Sequence, residues 1–268
     1  MGFIEHDGIR FHYEIAGEGP ALVFCHGLTG ELNQPKQLLG SLPGYRRLVW
    51  DARGHGATSP VGPADKFTFA QFADDLAVLM DRLGIQSAIV GGISMGAAVA
   101  TRSAIQYPQR VRGLVLVRPA WLEQPLPEGL RVYPKAAACL ERFGVEEGRK
   151  SVEAMPEFQR MREQSPESAM ALLDQLSAPG AIERRARLDR IPQDAPIRDW
   201  REVQGLRMPA LVVGNEPDWV HPLSYAVTWA ERLPLGRFVQ VPPKSVDFER
   251  HATAFRSHLA EFLRSIAA

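Results

Sequence analysis

A chain of 268 residues with 45% hydrophobic content can bury one large core, and it suits a single α/β domain with an insertion better than two independent domains or a disordered polymer. Thirty-one basic against thirty-one acidic residues give no formal charge, which argues against nucleic acid or an anionic membrane as a partner. The expected ligand is a small molecule, neutral or weakly charged; no metal or cofactor is expected, and a homodimer stays open.

No stretch approaches the ~18 consecutive apolar residues of a membrane-spanning helix. The segment Met1 to His6 lacks the basic and then apolar pattern of a secretion signal. Cys25 and Cys139 fall in a core strand and in a helix of a different region, so reduced thiols and a cytoplasmic location are expected.

In chain order, Ile9 to Ile15 alternate in strand fashion, Gly17-Glu18-Gly19-Pro20 makes a turn, and Ala21 to Cys25 is a short apolar run typical of a buried strand. Arg47 to Trp50 is another strand. Thr68 with Gln71 has capping-box spacing, and Phe69, Phe72, Ala73, Leu76, Met80 and Leu83 then recur at helical intervals. Ser87 to Val90 is the next buried strand, followed by Gly92-Ile93-Ser94-Met95-Gly96 and the alanine-rich helix Ala97 to Ile105. A serine on a sharp turn between strand and helix, with glycines two positions either side, is the arrangement that exposes a nucleophile. Ser94 is the candidate. Val111 to Val117, Ala210 to Val213 and Phe238 to Val241 complete the strands, and a last helix carries Phe255, Leu259 and Phe262 on one face. Strands alternating with helices predict a mostly parallel sheet covered on both faces.

The rhythm stops between Arg118 and Met208. Ser165-Pro166-Glu167 has a capping serine and a proline at the first helical position, and Ala181 to Asp189 reads as another helix. The expected organisation is a core of residues 1–120 and 204–268, with residues 121–203 forming a helical lid above the serine.

Three further segments resemble one family. Phe24-Cys25-His26-Gly27-Leu28-Thr29-Gly30, Trp50-Asp51-Ala52-Arg53-Gly54-His55-Gly56 and Val213-Gly214-Asn215-Glu216-Pro217-Asp218, taken with the serine elbow, are similar in order and spacing to the α/β-hydrolase family. The resemblance covers nearly the whole chain and implies the α/β-hydrolase fold. It is far less specific for the reaction, because the fold hosts esterases, lactonases, carbon–carbon bond hydrolases, cofactor-free oxygenases and non-catalytic receptors. It also implies an oxyanion hole from the backbone N–H groups of Met95 and Leu28, and Asp218 as the acid that orients the base, with Glu216 as a second candidate. His55 is expected to pack and hydrogen-bond rather than to act as a base.

At the base the chain departs from its relatives, since the family's usual Gly-His falls on Lys244-Ser245. Chain order then leaves His221, His251 and His258. His221 follows Asp218 so closely that its His-Pro is read as shaping the loop, whereas His251 sits one helical turn before Phe255 and is taken as the expected base. The alternative is that there is no conventional base. Arg118, at the end of a central strand, is the candidate to bind a substrate carboxylate, the alternative being an ion pair with a local carboxylate; Trp121 and Trp219 are candidates to line the pocket, the alternative being packing at the lid hinge. The expected activity is hydrolysis of a small ester, thioester or lactone through Ser94. A cofactor-free oxygenase or lyase-like enzyme, or a small-molecule receptor with a degenerate triad, is the alternative.

Overall fold

The computed structural model describes residues 1–267 and contains an eight-stranded sheet in the order β1-β2-β4-β3-β5-β6-β7-β8. The strands are β1 (Gly2–His6), β2 (Ile9–Ala16), β3 (Ala21–Cys25), β4 (Arg46–Trp50), β5 (Ala88–Ile93), β6 (Val111–Val117), β7 (Ala210–Gly214) and β8 (Gly236–Gln240). From β4 across to β8 every pairing is parallel, while β1 and β2 add an antiparallel edge. The continuous apolar runs at β3, β5, β6 and β7 become the buried centre, as strands covered on both faces must. Strand β1 is absent from the sequence expectation. It pairs with β2 through a two-residue turn at Asp7-Gly8, whose φ values of 52° and 72° suit the twist of a tight hairpin.

Helices cover both faces and divide the apolar interior in two. On one side α1 (Asn33–Leu39) and α10 (Phe248–Ala267) contribute Leu38, Leu39, Phe255, Leu259 and Phe262. On the other, α2 (Phe69–Arg82), α3 (Met95–Gln106) and α9 (Leu223–Arg232) form the larger cluster. Helix α2 shows how local chemistry sets its ends. Thr68 Oγ1 accepts the Gln71 N–H at 3.2 Å, a cap worth about 1 kcal/mol. At the other end Gly84 turns left-handed at φ 66°, and the Ile85 N–H reaches back to Met80 O at 2.8 Å, which satisfies a carbonyl that would otherwise lack a partner.

Between β6 and β7 the chain builds α4 (Val132–Glu153), α5 (Pro156–Gln164), α6 (Pro166–Ser177), α7 (Arg185–Arg190) and α8 (Arg201–Gln204). Helix α7 is shorter than the run expected from Ala181, because residues 180–184 form turns instead. Leu140, Phe158, Leu172 and Leu188 from this segment join the larger apolar cluster, so the inserted helices share its core. Cys25 and Cys139 are unpaired and buried. Among the described residues, no helix is long and apolar enough to cross a membrane.

Candidate active site

Ser94 occupies the turn between β5 and α3 with φ 55° and ψ −108°, in the left-handed region that non-glycine residues rarely enter. The flanking glycines explain how the turn closes. A Cβ on Gly92 would collide with the Gly96 backbone, and one on Gly96 would collide with the Cys25 carbonyl. The backbone is held by the neighbouring strand, since the Ser94 N–H donates to Val117 O at 2.9 Å. The strain therefore has a rigid support.

The loop after β3 lies against this turn, because a Cβ on Gly27 would stand 3.6 Å from Ser94 Cβ. Three hydrogen bonds fix the loop. The Gly27 N–H donates to Gln34 Oε1 at 2.7 Å, His26 Nδ1–H donates to Gly27 O at 2.7 Å, and His26 Nε2 accepts the Ala52 N–H at 3.0 Å. Burial lowers the pKa of His26, consistent with a neutral ring that donates on one side and accepts on the other. His55 bonds Leu28 O at 2.9 Å and has the supporting position expected of it. Among the described residues no acceptor takes the Leu28 or Met95 N–H, and Met95 is the first residue of α3, where an N–H has no carbonyl one turn back to bond. Two donors beside the serine are thus unspent.

The ring that meets Ser94 belongs to His221. Its Nε2 lies 3.0 Å from Ser94 Oγ and its Nδ1 lies 3.0 Å from Asp218 Oδ2. This corrects the expectation for His251, whose Nδ1 donates to Pro242 O at 2.9 Å from the first turn of α10. His251 satisfies the backbone just past β8, while the loop after β7 carries both the acid and the ring. The His221 N–H folds back onto Asp218 Oδ1 at 3.2 Å, so a span of four residues closes on itself with the imidazole against Ser94. His258 lies in the middle of α10, and Glu216 is exposed.

Asp218 is surrounded by donors. Arg118 donates to Oδ2 through Nε at 2.9 Å and also through Nη2, while Ser165 Oγ donates to Oδ1 at 2.8 Å. Burial alone would raise the pKa of Asp218, but the charges of His221 and Arg118 and the bonds from His221 and Ser165 outweigh it and hold the carboxylate ionised. Burial is likewise the largest influence on His221 and lowers its pKa; Asp218 pulls the other way, and Arg118 lowers it again. Arg118 Nη2 comes within 3.2 Å of His221 Nδ1. Both atoms are donors once the ring proton points at the carboxylate, and they share Asp218 Oδ2 as acceptor.

Arg118 is therefore occupied by protein carboxylates on two of its nitrogens, the second partner being Glu167 Oε1, 2.7 Å from Nη2. That is the local carboxylate pairing, and it leaves no bidentate substrate clamp on these two nitrogens. Its backbone turns left-handed, with φ 50°, just past the end of β6. Ser165 also departs from expectation. It precedes α6, but its hydroxyl makes no cap; it donates to Asp218 and accepts the Trp219 N–H at 2.8 Å. Trp121 is buried and lines a narrow apolar slot beside Ser94 with Ala97, Leu116, Pro119 and Trp229. Trp219 stands elsewhere, its ring 5.2 Å beneath the Arg160 guanidinium.

Comparison with known proteins agrees with the fold and surrounds it with several chemistries. A family model described as alpha/beta hydrolase fold matches residues 20–138. BpoC of Mycobacterium tuberculosis, provisionally named a non-heme bromoperoxidase, is 28% identical over 273 residues, covering 97% of this chain and all of that one. A thermophilic esterase from Thermogutta terrifontis superposes with a TM-score of 0.74 at 26% identity, covering 99% of this chain and 97% of the other. The enol-lactonase from Burkholderia xenovorans LB400 has a TM-score of 0.78 at 22% identity, covering 98% and 99%, and at that identity it speaks for the fold alone.

Proposed function

We propose that this chain, which has the α/β-hydrolase fold, is a serine hydrolase of a small carboxylic ester, thioester or lactone. The observation that carries the reading is the relay from Ser94 Oγ through the His221 ring to Asp218, with 3.0 Å on each side of the ring. With the proton on Nδ1 facing the carboxylate, Nε2 keeps a lone pair aimed at the serine hydroxyl. Ser94 attacks the substrate carbonyl as His221 takes its proton. The oxyanion develops beside the Leu28 and Met95 N–H groups; a donor in such a place contributes about 10²- to 10³-fold to kcat. His221 returns the proton to the departing oxygen or sulfur, and then activates the water that releases the acid from Ser94. No metal or cofactor takes part in this sequence.

The esterase among the structural neighbours supports the substrate class at the level of the bond broken. An oxygenase, a lyase-like enzyme or a receptor drew its case from the missing Gly-His; a ring against Ser94 supports the hydrolase reading over them. In this reading residues 121–203 act as a lid over the core of residues 1–120 and 204–268, and Ser165 and Glu167 tie the lid to the acid of the triad. The buried, unpaired cysteines fit a protein of the reducing cytoplasm.

A fluorophosphonate probe tests the proposal, because it forms a stable adduct only with an activated serine. Peptide mapping should find the adduct on Ser94; an unlabelled protein, or a label elsewhere, would overturn the assignment. The pH profile offers a separate check. Since burial and Arg118 lower the pKa of His221, the ring stays neutral below the usual histidine range of about 6.5. Activity requires the neutral ring and falls as pH drops through its pKa, so the acid limb of kcat/KM should lie below about 6.5. A limb above 7 would contradict a buried base beside a guanidinium.

A further inference from the structure

Behind Arg118 lies a cavity of about 270 Å³ that the relay does not use. It opens at the C-terminal edge of the sheet on the side covered by α1 and α10, and its apolar walls are Leu38, Ile93, Val117 and Phe248. Gln34, Gln37, Arg118, Lys244 and His251 form the polar side. Lys244 stands where relatives keep their Gly-His, and among the described residues it makes no hydrogen bond or ion pair. Arg118 spends Nε and Nη2 on Asp218 and Glu167, which leaves Nη1 as the donor without a protein partner. Gln34 Oε1 is engaged by the Gly27 N–H, so the amide NH₂ is the end left over.

We propose that this cavity binds a small monocarboxylate through Lys244, Arg118 Nη1 and the Gln34 amide, and that the enzyme's substrate is an ester or lactone bearing such a group. The second half rests on the serine-hydrolase reading; the first does not. Arg118, Lys244, Asp218 and Glu167 sum to no net charge, but the charges are segregated. Asp218 and Glu167 Oε1 are bound by Arg118 Nε and Nη2, by Ser165 and by His221, while Glu167 Oε2 has no hydrogen-bond partner; Arg118 Nη1 and Lys244 are left as donors for the cavity. Burial lowers the pKa of Lys244, with the Arg118 charge adding to the effect and Glu167 and Asp218 opposing it; a bound carboxylate pulls in the same direction as those two. A phosphate dianion fits less well, because only one unpaired ammonium faces it and half the wall is apolar. The cavity touches Ile93, which precedes Ser94, and Gln34, which holds the oxyanion loop. A ligand anchored by its carboxylate therefore lies against the strand that leads into the elbow and the helix that holds the oxyanion loop, while Ser94 itself lines the slot beside Trp121.

Calorimetric titration of the whole protein with butyrate, using butyramide as the uncharged control, reads the site without any turnover. Wild type should bind butyrate in preference to butyramide, and Lys244→Gln should weaken butyrate at least about tenfold, the scale of a charge-assisted hydrogen bond in a partly buried site. Lys244→Glu should abolish butyrate binding while its circular dichroism and melting curve stay native, which separates charge from folding. Equal binding of the two probes, or butyrate binding indifferent to both substitutions, would overturn the site. The kinetic arm compares monoethyl succinate with diethyl succinate. Wild type should favour the half-ester in kcat/KM, and Lys244→Gln should reduce that preference about tenfold, chiefly through KM. Lack of preference would overturn the substrate class. If neither ester is cleaved while Lys244-dependent butyrate binding persists, the carboxylate site stands and the serine-hydrolase reading falls.

Discussion

Replacing His221 with alanine should lower kcat/KM for the best ester by at least ~10³-fold, with little change in melting temperature. A general base in this position contributes typically ~10²- to 10⁴-fold, and His221 also returns the proton to the leaving group. The ring is the only connection between Ser94 Oγ and Asp218 Oδ2 in the relay, so its loss leaves the serine hydroxyl at its ordinary reactivity. Because the residues act as one unit, Ser94→Ala alone should fall to the same residual rate as Ser94→Ala combined with His221→Ala. His251→Ala should cost less than about tenfold on a neutral ester, since its ring is spent on Pro242 O. A reversed order, with His251→Ala the crippling change, would remove His221 from the mechanism. A large loss of stability in His221→Ala would show that the loop, rather than the base, was what the substitution removed.

The sheet was legible in the sequence because its central strands are short apolar runs bounded by turn residues. Ala21–Cys25 and Val111–Val117 fall where the runs do. The elbow was legible for a different reason: at Gly92 and Gly96 any Cβ meets backbone, so the pattern states a steric requirement. The base was not legible by counting. The spacing after β8 leads to Lys244-Ser245, and helical periodicity then favours His251, but neither consideration carries information about a loop that folds back on itself. The signal available was Asp218 and His221 three positions apart, followed by Pro222, in a segment just past a central strand. The Ser165 hydroxyl shows the same limit. Locally it has the composition of a helix cap, yet a buried carboxylate from a distant loop competes for the donor and wins. Neutral overall charge likewise says nothing about the separation of cations and anions around Arg118.

Arg118→Met should destabilise the protein by about 3–5 kcal/mol, the cost of leaving one member of a buried ion pair without its partner. The guanidinium is 4% exposed and Asp218 1%, so water cannot replace the lost charge at Oδ2. That is a substantial share of a typical 5–15 kcal/mol, and for a chain of this size it lowers the melting temperature on the order of 10 °C. The pH dependence identifies the cause. In the wild type the Asp218 pKa lies below its ordinary value, so the ionised carboxylate contributes stability that is present above about 4 and is lost as pH falls through the lowered pKa. Methionine removes part of that contribution, so the gap in melting temperature between wild type and variant should be widest near neutrality and should narrow below about pH 4. The same substitution removes the cation 3.2 Å from His221 Nδ1, which raises the pKa of the ring and shifts the acid limb of any residual activity to higher pH. Arg118→Lys keeps a charge but cannot serve Asp218 and Glu167 through a planar fork, and it should fall between the two. A gap that stays constant from pH 7 to pH 3, or a loss under about 1 kcal/mol, would show that the pairing contributes little and that Asp218 relies on Ser165 and His221 instead.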